Sequence, residues 1–291
     1  RIWMSVIWRH PKFITARIFG MGPVILSVLI AVALSIAMAG AWAIARKPGR
    51  SGWTDVIWSY AIGLAGAVSA LAPIDGPPGK RQWLVAVLIG GWSLRLGTHI
   101  ALRTTSGHDD PRYAELRREW RDRFDRRLFG FLQIQAIAAW LLSVSILVAA
   151  RNPAPAFGWS DGVGAAILLA AVAGEAVADA QLSSFRNNPA NRRRVCDQGL
   201  WGLSRHPNYF FEWLGWVAYA VIAIGPDGRF GWGWIALSGP AFMYWLLVHV
   251  SGIPPLEAHM LRSRGEAFRR AQRRIRAFWP IPKPRTEEDR P

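Results

Sequence analysis

The chain has 291 residues, 52% hydrophobic and 19% charged, and its 35 Lys and Arg against 19 Asp and Glu give a formal net charge of +16. That apolar content excludes a disordered chain, and a lone cysteine, Cys196, excludes a disulfide scaffold. The basic surplus leaves three partner classes to weigh: nucleic acid, a membrane surface or an anionic ligand.

In chain order, residues 1–20 mix Arg1, Arg9, Lys12 and Arg17 with Trp3, Trp8 and Phe13, and read as an interfacial amphipathic segment. The run 22–45 carries no charge and is long enough to cross roughly 30 Å of hydrocarbon at about 1.5 Å per residue. Further apolar runs follow at 53–71, 83–102, 128–150, 159–182, 209–225 and 232–254. Seven such stretches do not fit inside a globular core. The sequence therefore predicts an all-α integral membrane protein, with seven transmembrane helices in a single polytopic domain over 1–291.

Basic residues test that count. The first connection holds Arg46, Lys47 and Arg50, and the third holds eight arginines from Arg103 to Arg127. The fifth holds Arg186, Arg192, Arg193, Arg194 and Arg205, and the tail 257–291 holds ten basic residues. The intervening connections carry only Lys80 and Arg81, Arg151, and Arg229. Cytoplasmic loops retain Lys and Arg, so the alternation predicts an N-out, C-in chain with these loops and the tail on the cytoplasmic side. The basic segment at 1–20 is the exception. Arginine's excess over lysine fits a GC-rich genome and a bacterial inner membrane. Clustered charge of this kind sets topology and attracts anionic membrane lipid, or it meets the phosphates of a ligand. No binding module or aromatic–basic repeat supports nucleic acid.

Polar residues concentrate in D-A-Q-L-S-S-F-R-N-N-P-A-N-R-R-R-V-C-D-Q-G-L-W-G-L-S-R-H-P-N-Y-F-F-E, which starts inside one apolar run and ends inside the next. Glu175 and Asp179 share a helix face, and Asn208 and Glu212 repeat the spacing. Carboxylates within spans face a partner or a water-filled cavity; pairing with nearby arginines is the structural alternative to ligand binding. A second cluster, His108, Asp109, Asp110, Arg112 and Tyr113, follows Arg103, and a third is the arginine-rich tail ending in Phe278 and Trp279. All three fall on the predicted cytoplasmic face. Dinucleotide-fold glycine turns, Walker loops, zinc-ligand sets and G-x-S-x-G elbows are missing.

The stretch C-D-Q-G-L-W-G-L-S-R-H-P-N-Y-F-F-E, the loop H-D-D-P-R-Y and the closing A-F-W-P-I-P-K resemble the steroid 5α-reductase family, in particular its bacterial, DUF1295-like membrane branch. The resemblance covers residues 53–283. It implies an NADPH-dependent reductase of a lipophilic, steroid-like enone, with the cofactor in a cavity closed by cytoplasmic loops and the substrate deeper, near the first helices. Asp179, Arg186, Asn208 and Glu212 match the family's cofactor-contacting positions, Arg205, His206 and Tyr209 belong to the same motif, and Arg274 with Arg273 would meet a phosphate. Asn187 and Asp197 of the polar stretch, and Asp110, Arg112 and Tyr113 of the loop, join the cofactor-binding candidates. Two departures stand out: Ala271 occupies a tail position where the branch usually has Tyr, and His99–Ile100 replaces the eukaryotic His–Tyr pair that holds the substrate carbonyl.

Reducing a C=C bond conjugated to a ketone needs a hydride at the β-carbon, a donor on the carbonyl oxygen and a proton at the α-carbon. Intramembrane polar groups are the natural donors: Asp55, kept protonated by desolvation, His99 and Tyr60. Asp55 could instead belong to a helix start beside Thr54, and His99 could be a satisfied buried histidine. Two other functions remain open from sequence. A membrane methyltransferase using S-adenosylmethionine shares the R-H-P-x-Y stretch but needs fewer arginines. A transporter or lipid-binding protein would use Asp55, Glu175 and Asp179 as a relay, though no internal repeat is visible.

Overall fold

The computed structural model describes residues 22–283 except 48, 49, 75, 106–110, 155, 156 and 193. The expected interfacial segment at 1–20 lies outside the described residues, as do His108, Asp109 and Asp110. Among the described residues ten α-helices follow one another: α1 (Gly22–Ala45), α2 (Trp53–Leu71), α3 (Lys80–Thr105), α4 (Pro111–Trp120), α5 (Phe124–Ala150), α6 (Trp159–Asn187), α7 (Pro207–Ile224), α8 (Ser238–Trp245), α9 (Ile253–Arg264) and α10 (Glu266–Arg274). No strand forms among the described residues; the one β-bridge joins Ser204 to Arg276.

Among the described residues, six helical stretches are long and apolar enough to cross a membrane: Gly22–Ala45, Trp53–Leu71, Lys80–Thr105, Arg112–Ala150, Trp159–Asn187 and Gly231–Arg264. The chain is thus a multi-pass integral membrane protein, but the expected seven spans are not all met. Helix α7 is outside the six, because Pro207, Asn208 and Glu212 make its first half polar. The expected span at 232–254 falls within the candidate Gly231–Arg264, but it is not one regular helix. It breaks into a 3₁₀ stretch Gly231–Leu237, helix α8 and a π turn Leu246–Val250 before α9 begins. Pro254 and Pro255 sit in the first turn of α9, where proline is tolerated, and keep the preceding segment from continuing into it as one regular helix.

Burial is inverted relative to a soluble bundle. In α1 only Ile30, Leu34, Met38, Ala41 and Ala45 are buried, a stripe at spacings of three and four. Val24, Val28, Val32 and Ile36 on the other faces are more than half exposed, as lipid-facing residues should be. Small residues let helices close up where hydrophobic drive between them is weak. A Cβ at Gly97 would lie 2.8 Å from the Tyr60 ring, so α2 and α3 meet there only because residue 97 is glycine.

The long helices alternate in direction. Helix α1 runs against α5, pairing Ser35 with Gln133 at 2.7 Å and Ser27 with Trp140 at 2.9 Å. Helices α6 and α7 are antiparallel too, Gly164 facing Ile222 and Gly174 facing Phe211. The bundle therefore has two unlike ends. At one, Arg46 meets Asp125 at 3.0 Å, and the basic connections and tail gather. At the other, Arg81 and Asp161 form a bidentate pair at 2.7 and 2.9 Å, nearly closed to solvent. There Arg81 Nη1 also donates to the carbonyls of Asn152 and Ala154, at 2.7 and 2.8 Å. Arg151 donates to the carbonyls of Ala70 and Ala72, which satisfies the C-terminus of α2.

Candidate functional site

Between the two ends lies a polar core on three helices. Trp92, Arg95 and His99 share a face of α3, Glu175 and Asp179 a face of α6, and Glu212, Trp216 and Tyr219 a face of α7. Arg95 uses its two terminal nitrogens on two carboxylates, Nη1 on Glu175 at 2.7 Å and Nη2 on Asp179 at 2.6 Å. A guanidinium fork suits this bridging role and an ammonium does not. His99 Nε2 stands 3.5 Å from Asp179. Glu212, 7% exposed, accepts from the indoles of Trp92 (2.8 Å) and Trp216 (3.0 Å) on separate oxygens. The Tyr219 hydroxyl, two turns further along α7, is buried with no hydrogen-bond partner among the described residues.

A cavity of about 560 Å³ opens between α3 and α6. Arg95, Thr98, His99, Asp179 and Ser183 supply its polar lining, and Leu94, Leu102, Ala176 and Ala180 the rest. Tyr60 reaches its edge through a 3.0 Å hydrogen bond between its hydroxyl and Thr98 Oγ1. Of the three proton-donor candidates, His99 lines the cavity and Tyr60 is one side chain away. Asp55 is elsewhere. It accepts a 3.1 Å hydrogen bond from the Tyr113 hydroxyl and pairs with Arg112, both on α4. Its carboxylate is thus committed to α4, away from the cavity where the donor expected from sequence would stand. Arg112 and Tyr113, expected to meet a cofactor, are engaged with that carboxylate.

At the basic end three segments converge. Arg262 of α9 pairs with Glu115 of α4, and Arg264 donates to the Arg194 carbonyl. Arg186 at the end of α6 feels the charges of Arg103 and Arg264 from two other helices, with Asp179 the carboxylate that offsets them. The intervening loop folds back onto α6: Trp201 Nε1 donates to the Ala178 carbonyl at 2.9 Å and Leu200 N to Gln181 Oε1 at 3.0 Å. This buries Cys196 beside Phe185 and Trp201, and burial pushes its thiol pKa up. Asn187 and Asp197 are exposed around this loop, while Asn208 is half-buried at the start of α7.

Arg205 and His206 face the tail. Arg205 grips Glu257 at 2.7 Å and the carbonyl of Ile275, and its own N–H donates to the Arg276 carbonyl at 2.9 Å. His206 Nε2 is 3.0 Å from Glu257, whose other oxygen accepts from Gln272 at 2.8 Å. Ser204 Oγ donates to the Phe278 carbonyl at 2.9 Å. Burial holds the His206 imidazole pKa below its ordinary range, against the pull of Glu257. Tyr209 stacks on His206 with ring centroids 5.4 Å apart. The R-H-P-N-Y stretch is therefore a latch for the tail. Among the tail candidates, Arg273 pairs with Glu266 at 2.8 Å, and Arg274 is exposed beside it.

Sequence reasoning missed Trp92, Trp216, Tyr219 and Glu257. Only Glu257 had a signal, as the single carboxylate opening an arginine-rich helix; the indoles read as ordinary apolar residues. No curated protein and no solved structure matches the chain. A family model described as protein of unknown function (DUF1295) matches residues 41–275. The chain accordingly belongs to that family, which is the steroid 5α-reductase-like family.

Proposed function

We propose that the protein is an NADPH-dependent reductase of the C=C bond in a lipophilic enone, of which a 3-oxo-Δ4-steroid is the type. The observation that carries this reading is the placement of an arginine-lined end directly over a polar core set in an apolar bundle. The residues present fit an anionic dinucleotide: Arg103 and Arg264, from two other helices, bear on Arg186, and added phosphate would relieve that repulsion. These three would hold the phosphates, with Asn187, Asn208 and Arg274 around them. When bound, the cofactor supplies the hydride for the β-carbon. Arg95 holds Asp179 in place through its fork, and Asp179 orients His99. His99 donates to the substrate carbonyl, and the Tyr60–Thr98 pair stands beside it as the second donor. Helix α7 is the seventh span on this reading. Its polar half lies among Trp92, Trp216 and the latch rather than against lipid, and the basic end faces the cytoplasm of a bacterial inner membrane.

Tryptophan fluorescence of the detergent-purified protein tests the cofactor. NADPH is expected to quench it, and Arg186→Ala to weaken binding by about 1.5–3 kcal/mol, the usual worth of a hydrogen bond to a charged group. Quenching by S-adenosylmethionine with none by NADPH would overturn the reading in favour of a methyltransferase. Loss of NADPH absorbance on adding progesterone or testosterone tests the reaction.

A further inference from the structure

The cavity between α3 and α6 has an unusual outlook. On its α3 rim Leu94 and Leu102 are 64% and 69% exposed, and Val87 continues that outward face at 67%. On α6, Leu169 and Val177 do the same. These are faces that meet acyl chains in a membrane. The cavity thus opens sideways into the bilayer, and its polar wall lies behind an apolar rim. From Leu94 to Leu102 it extends about 12 Å along the helix, and its volume falls within the usual range for small-molecule sites.

The lining also limits what can enter. Among the described residues it carries one cation and one anion, Arg95 and Asp179, already paired at 2.6 Å. A charged headgroup would therefore gain no net complement and would lose its hydration. What the wall offers is neutral hydrogen bonding: the His99 ring, 42% exposed, and the hydroxyls of Thr98 and Ser183. We infer that this cleft takes an uncharged lipophile with one polar oxygen, drawn laterally from the bilayer between α3 and α6 rather than from the first helices. The apolar body lies along Leu94 and Leu102, and the oxygen meets His99. The inference rests on the reductase reading only for what happens to the ligand next.

Photolabelling of the full chain in lipid nanodiscs, without nucleotide, tests the site. The probes are a diazirine analogue of a steroid enone, a diazirine phosphatidylglycerol and a diazirine long-chain amine. The steroid probe is expected to label residues 94–102 and 176–183, with unlabelled progesterone competing, while the two charged probes label them no more than other lipid-facing helices. Ala180→Trp, which fills the cleft, is expected to cut steroid labelling about tenfold. Leu102→Trp at the rim does the same if Ala180→Trp fails to fold. Steroid adducts confined to α1 and α2, or equal labelling of the cleft by either charged lipid, would overturn the inference. Cleft labelling without NADPH oxidation sinks the reductase reading and leaves the cleft standing. Turnover with labelling elsewhere does the reverse.

Discussion

Arg81 with Asp161 and Arg95 with Glu175 join the same two helices, and both partners recur fourteen residues along, about 21 Å higher. Equal offsets mean that α3 and α6 run parallel and in register. Yet the two pairs are finished differently. Arg81 has one carboxylate and two carbonyls, all closely held, and Asp161 is wholly buried. Arg95 is shared between two carboxylates, one of them beside an exposed histidine and a cavity. A saturated pair fixes geometry; an open one leaves groups facing a space where something else can bind. The same chemistry serves as a rivet at one level and as a site wall at the other.

The sharpest break is Arg81→Ala. It strands a fully buried carboxylate, which costs about 3–5 kcal/mol, so the thermal midpoint in detergent should collapse. The double variant Arg81→Met with Asp161→Leu should recover most of the loss. Normal stability of the single variant would dissolve the distinction. Arg95→Ala should cost less stability, about 1–3 kcal/mol, because Asp179 keeps His99 beside it at 3.5 Å. Its main effect should be on turnover of an enone, and a variant that unfolds as readily as Arg81→Ala while binding ligand normally would make Arg95 a second rivet. Conservative changes at the open pair, Glu175→Gln and Asp179→Asn, should stay within about 1 kcal/mol of the parent in stability and still lower turnover.

A pH titration separates the latch from both pairs. His206 titrates in the fold below its ordinary value, so the unfolded chain binds its proton more readily. Stability is then full above about pH 6.5 and falls as the pH drops through that value toward the folded pKa. His206→Gln should flatten the slope of the unfolding midpoint against pH; an unchanged slope would place its origin elsewhere.

Much of the architecture was legible because hydropathy alone sets where a chain can cross lipid. The runs 22–45 and 53–71 match α1 and α2 to the residue. The run 83–102 became Lys80–Thr105, since Arg103 and Lys80 remain helical beyond the apolar part. Hydropathy did not expose the break at 246–250, which depends on local backbone geometry. The acidic face of α6 could be read from its four-residue spacing, but its partner Arg95 depends on helix packing, which spacing along one helix does not report. The R-H-P-N-Y stretch was legible only in part for a similar reason: its polar composition announces a partner, but not that Glu257, some fifty residues on, bonds Arg205 and His206.

That separation in sequence gives the latch a temporal meaning. Arg205 is made before the last apolar stretch, and its acceptor carbonyl on Ile275 comes 70 residues later. During synthesis the helices can enter the bilayer while the guanidinium still waits in water for its ligands. The latch can therefore close only once Ile275 has been made. A ribosome paused before Glu257 would hold a bundle with its polar core in place and its door unhung.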